Sequence, residues 1–76
     1  MQLPMVGTWQ VRVHAVRPFT IHSDVYYELH IERPETPGQF LGVRMPQHAS
    51  PEPPQVGDEL ELTFLMGQIT SAKKVL

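Results

Sequence analysis

The chain has 76 residues, no cysteine, and six Lys and Arg against eight Asp and Glu, for a net charge of −2. A chain of this length forms one domain with a thin core, burying only about 60% of the surface its unfolded form exposes, so a ligand is expected on the surface or in a shallow groove. Disulfides, thiolate metal sites and thiol catalysis are excluded, and the acidic balance argues against a strong non-specific grip on nucleic acid, which needs many cations on phosphate.

The opening Met1-Gln2-Leu3-Pro4-Met5 has neither a basic nor an apolar leader pattern. With no cysteine in the chain, a cytoplasmic location is expected. No apolar run is long enough to span a bilayer, so no membrane partner is expected.

The first predicted strand runs from Gly7 to Arg17. Trp9, Val11, Val13 and Ala15 alternate with Gln10, Arg12 and His14, the period of a strand with one buried face. Trp9 shares the face of Val11 and Val13 and is expected in the core. Pro18, lacking an N–H donor, is expected to end the strand. Thr20 to Asp24 then carries a Ser23-Asp24 turn. The second strand, Val25 to Arg33, has the cleanest alternation: Val25, Tyr27, Leu29 and Ile31 on one face, Tyr26, Glu28, His30 and Glu32 on the other.

Pro34 to Gly38 is a tight connection that makes the second and third strands a hairpin. The third strand, Gln39 to Met45, turns Leu41, Val43 and Met45 inward and Phe40, Gly42 and Arg44 outward. Gly42 marks a bulge or a close backbone approach. Pro46 to Val56 is a long proline-rich loop, read as a spacer rather than as a ligand for an SH3-type groove. The fourth strand, Glu59 to Leu65, buries Leu60, Leu62 and Phe64. Met66-Gly67-Gln68 turns the chain into a last strand, Ile69 to Val75, with Lys73 and Lys74 as a solvated pair near its end.

Five short strands expose sheet edges, and closure removes that liability. The expectation is therefore an all-β, five-stranded antiparallel barrel spanning residues 1–76 as a single domain. The glycine before the long first strand (Gly7-Thr8-Trp9-Gln10-Val11-Arg12-Val13), the hairpin, and Val56-Gly57-Asp58-Glu59-Leu60 leading into the fourth strand together resemble the OB-fold. The alternative is an SH3-like barrel. Many OB-folds carry a helix between the third and fourth strands; here the proline loop takes its place, leaving at most a single turn between Gln47 and Ser50.

The resemblance implies a binding face on the outer side of the sheet. The outward residues there are Arg12, Tyr26, His30, Phe40 and Arg44. Aromatic rings stack on bases, and arginines follow phosphates. These five residues are the candidate site for weak binding of single-stranded DNA or RNA. The same face, or a free sheet edge, equally suits a protein partner or a second copy of the chain; Glu28 and Glu32 share it and repel phosphate.

His14, His22, His30 and His48 lack helical metal-ligand spacing, and no metal or other cofactor is expected. His22-Ser23-Asp24 holds the residue types of a hydrolytic triad, but adjacent residues cannot reach its geometry. No phosphate-binding glycine loop or nucleophile motif is present, so a non-enzymatic module is the reading.

Overall fold

The alternating apolar pattern resolves into five strands: β1 (Val6–Ile21), β2 (Asp24–Glu32), β3 (Phe40–Pro46), β4 (Glu59–Leu65) and β5 (Gln68–Lys74). The computed structural model describes residues 3–75. The leader reading rests partly on Met1 and Gln2, which lie outside the described residues, as does Leu76. The strands form one antiparallel sheet in the order β3-β2-β1-β4-β5. Three consecutive hairpin-linked strands are followed by a fourth that returns beside the first, which is Greek-key order. Among the described residues, no helix is long and apolar enough to cross a membrane.

The expected closure into a barrel is corrected. The outer strands β3 and β5 approach each other, but no ladder joins them and the sheet stays open there.

β1 departs most from the sequence expectation. Its 16 residues would span about 50 Å if straight, whereas the longest dimension of the molecule is 35 Å. The strand must bend, and it does so at a bulge. Val13 pairs with Ile31 and Ala15 with His30, so His14 is the extra residue. Before the bulge β1 pairs with β4 from Val6 to Arg12 and meets β2 only at Arg12 and Val13; beyond it β1 keeps only β2. That explains why Pro18 does not end the strand. It stands opposite Tyr27 where β1 has one neighbour, and a residue without N–H is tolerated on such an edge.

The bulge also reverses which residues face inward. Val11 and Val13 are buried before it, whereas Val16 lies opposite buried Leu29 after it, and Ala15 moves to the outer face. Gly42, expected to mark a bulge or a close approach, pairs with His30 in an unshifted β2–β3 ladder. Its α-carbon has ordinary room, with His30 Cδ2 3.8 Å from where a Cβ would stand.

The core is apolar throughout. Val11, Val13, Tyr27, Leu29, Ile31, Val43, Met45, Leu60, Leu62 and Phe64 come from β1 to β4, with Ile69 and Ala72 from β5. No polar side chain is buried among the described residues. Gln47–Ala49 form a single 3₁₀ turn, whose Ala49 is buried against β2 and β5. The proline loop after it is tied at both ends. Gly57 N–H donates to Val13 O and Val13 N–H to Asp58 O, both at 2.9 Å, which satisfies the backbone beside the bulge. Lys74 Nζ lies 3.1 Å from Glu52 and 3.6 Å from Asp58. The Glu52 contact leads in raising the Lys74 pKa, so Lys74 is a loop anchor rather than part of a solvated pair.

The β1–β2 connection turns on His22-Ser23, one residue earlier than the expected Ser23-Asp24. Both have positive φ, 51° and 72°, the two-residue geometry that matches strand twist and prefers Asn-Gly. Met66-Gly67 repeats it between β4 and β5, with φ of 53° and 78°. Left-handed backbone costs a residue bearing a Cβ about 1–2 kcal/mol. Replacing the first turn by His22→Asn with Ser23→Gly is therefore expected to stabilise the fold by about 1 kcal/mol. Urea unfolding should show the midpoint rising by roughly 0.5 M. An unchanged or lower midpoint would refute the strain assigned to this turn.

Candidate nucleic-acid interface

The registers of β1, β2 and β3 arrange the outer face in rows across the sheet. Phe19, Tyr26 and Pro46 form one row, and Arg17, Glu28 and Arg44 the next. Ala15, His30 and Gly42 follow, and then Glu32 beside Phe40. Successive rows are two residues apart, or about 7 Å.

The Phe19 and Tyr26 rings are stacked, with centroids 5.6 Å apart and planes 22° apart. Arg44 extends over Phe19, its Cζ 5.4 Å from the ring centroid. Arg17 Nη2 donates to Glu28 Oε1 at 3.0 Å. Phe19, Tyr26 and Arg44 line a shallow groove of about 510 Å³, which runs on to Gly67 and Gln68 at the β4–β5 turn. Aromatic faces, a guanidinium and a groove thus meet at this end of the sheet.

The remaining expected residues are distributed unevenly. His30 lies on the same face between Ala15 and Gly42. Phe40 is exposed, but its ring meets His14 edge-on at 4.7 Å. Arg12 belongs to the far end. It pairs in register with Glu32, six residues from Tyr26 along β2, which is about 20 Å. Its guanidinium is tied to Glu59 at 2.5 Å. The five expected residues therefore do not form one site: Tyr26 and Arg44 share the groove, His30 is intermediate, and Arg12 and Phe40 stand apart.

Phe19 escaped the sequence reading because Pro18 was taken as the end of the strand, and Arg17 because the bulge carries no mark in the alternation: Ala15, Arg17 and Phe19 continue the sequence phase of Val11 and Val13, and only the extra residue turns them to the outer face. Trp9 is half-buried rather than fully in the core. Phe64 meets its ring edge-on at 5.3 Å, and the Arg33 guanidinium covers it at 4.0 Å. No free indole face is left for a base.

Among the described residues, no three metal-ligating side chains gather. His14 meets Glu32. Its Nε2 lies 2.8 Å from Glu32 Oε1, while Gly38 N–H donates to Glu32 Oε2 at 2.5 Å. One carboxylate thus holds both the bulge and the β2–β3 loop.

No family model, curated protein or solved structure matches the chain.

The Gly38 N–H, followed by His14, holds the Glu32 pKa below the ordinary value of 4.5. A carboxylate whose pKa is lowered by folding stabilises the fold fully above its unfolded value. That stabilisation is lost as pH falls through the lower folded value. In Glu32→Gln, thermal melting is expected to be lower than wild type at pH 7, and the two curves should converge as the pH falls below about 4. Equal melting temperatures at pH 7 would show that the latch contributes nothing.

Proposed function

We propose that the chain is an OB-like binding module without catalysis of its own, which takes single-stranded DNA or RNA weakly on the outer face of β1–β3. One observation carries this reading. Arg12, Arg17 and Arg33 are each committed to a carboxylate. Arg44 has no such partner among the described residues and lies over a stacked aromatic pair. A guanidinium beside π-faces is the arrangement that holds a phosphate while bases stack.

The OB-like reading draws support from the Greek-key order, preferred here to an SH3-like one. OB barrels are partly open, and their ligands lie on strands two and three between the β1–β2 and β4–β5 loops. The groove beside Tyr26 reaches the second of these loops at Gly67. Asp24 and Glu28 nearby weaken phosphate attraction, so binding should be weak. A stack is worth about 1–3 kcal/mol, and Phe19 and Tyr26 already cover one face of each other, so after the cost of ordering the strand a Kd of roughly 1 mM or weaker is expected.

Anisotropy titration of a labelled single strand at low salt is the test. Tyr26→Ala and Phe19→Ala should each weaken binding by roughly fivefold or more. Arg44→Ala should also reduce the salt slope by about 0.7, the value of one phosphate on a single strand. Arg12→Ala should leave affinity nearly unchanged. Absence of binding at low salt, or normal binding by Tyr26→Ala, overturns the assignment.

A second reading, self-association, is favoured by a separate observation. Val6 and Leu65 are paired across the β1–β4 ladder, with Met5 and Met66 beside them, and all four are more than half exposed. Exposed apolar surface of this kind suits a second copy of the chain. Sedimentation should then show concentration-dependent mass that Leu65→Ser abolishes; a monomer at all concentrations removes this reading.

A further inference from the structure

The first part of β1 has one edge without a neighbouring strand. β2 pairs with β1 only from Arg12 onward, where Arg12 meets Glu32. Two residues further along, Pro34 would stand opposite Gln10, and proline has no N–H with which to continue the ladder. β2 therefore stops while β1 runs on to Val6. A cleft of about 300 Å³ lies where β2 would have continued, with Gln10, Val11, Pro34 and Pro37 among its walls.

Alternation shows which backbone groups face that edge. Val13 N–H donates to Asp58 O and Val13 O accepts from Gly57 N–H, both on the β4 side. The β1–β4 register is unshifted from Val6 to Arg12, so Gly7, Trp9 and Val11 point the same way as Val13. Val6, Thr8 and Gln10 then direct N–H and C=O away from β4, into the open edge. Among the described residues, no loop or side chain takes up these groups. The other open edges are guarded against a foreign strand: β1 beyond the bulge by Arg17 and Pro18, β3 by Pro46, and β5 by Lys73 and Lys74. From residue 6 to residue 11 this edge has neither proline nor charge, and Val6 is 71% exposed.

We propose that residues 6–10 of two copies pair as antiparallel strands, with Thr8 on the two-fold axis, and so join two sheets into one. The inference rests on the self-association reading and deepens it. An uncharged strand meets its own image without repulsion, as a two-fold contact requires. In this register Thr8 faces Thr8 of the second copy and Val6 faces Gln10, so each outward N–H and C=O finds a partner. The incoming Val6 arrives beside the cleft, and exposed Met5, Leu65 and Met66 flank the seam. The Phe19–Tyr26 platform lies beyond the bulge and stays open.

Sedimentation over a range of concentrations tests this on wild type, Thr8→Pro, Thr8→Lys, Thr8→Glu and Leu65→Ser, with amide exchange followed on wild type. Proline at this position removes an N–H that faces the open edge and none that β4 uses. Wild type should gain mass with concentration, and exchange at the Thr8 and Gln10 amides should slow as it does. Thr8→Pro should weaken association by roughly tenfold or more, the loss of one backbone hydrogen bond from each copy. Thr8→Lys should weaken it as well, and it decides the matter where the proline variant fails to fold. An equimolar mixture of Thr8→Lys and Thr8→Glu should restore the dimer, because opposite charges then meet on the axis. Association kept by both Thr8→Pro and Thr8→Lys but lost in Leu65→Ser overturns strand pairing and leaves self-association through the apolar tip. Fast exchange at Thr8 and Gln10 in associated wild type overturns the pairing too, and a mixture that stays monomeric overturns the register at Thr8. A wild-type monomer at every concentration overturns both the pairing and self-association.

Discussion

A single inserted residue in β1 sets both the shape of the sheet and the chemistry of its outer face. β1 joins the two halves of the sheet, touching β4 through its first part and β2 through its second. It can do so only by turning between them, and the bulge at His14 supplies the turn. Gly57 and Asp58 take up both backbone groups of Val13 beside the bend. Because side chains alternate with a period of two, one extra residue exchanges the two faces for the rest of the strand. Phe19 and Arg17 reach the outer surface by that exchange, and without it Tyr26 would have no stacking partner on β1.

The face is then divided by how its cations are used. Arg12 is committed to Glu59 and Arg33 to Glu35 and the Trp9 ring. Lys74 is committed to the proline loop. These exposed pairs add little to stability one by one, but together they use up most of the positive charge. Among the described residues, the guanidinium without a carboxylate partner is that of Arg44, beside the platform. A net charge of −2 therefore describes the chain without describing this end of it.

Much of this was legible in the sequence, for a definite reason. β2, β3 and β4 alternate strictly, and most of their expected inward residues are buried in the structure: Tyr27, Leu29 and Ile31, then Val43 and Met45, then Leu60, Leu62 and Phe64, while Val25 and Leu41 are only half-buried. The single turn at Gln47–Ala49 follows from the prolines that flank it. What failed was local to β1. Proline ends a strand only when its missing N–H would face a neighbour, and whether a neighbour exists is a property of the whole sheet. Arg12 was grouped with Tyr26 for a related reason, since the alternation gives its face but not its distance along the sheet from Tyr26. Closure failed because a pattern of strands does not reveal whether its two outer members join.

The open sheet bears on how a ligand can be held. An exposed edge invites another strand to pair with it by backbone hydrogen bonds. Beyond the bulge, the free edge of β1 carries Pro18, and β3 ends on Pro46. Each proline removes a donor from the row that such a strand would need, and Arg17 sets a charge beside the first. The β1–β2 and β4–β5 turns, of two residues each, are too short to wrap around a partner. In the proposed function, recognition therefore falls to the side chains on the face rather than to the backbone at the edges. The aromatic pair and the guanidinium above it lie on that face, where the bulge placed them.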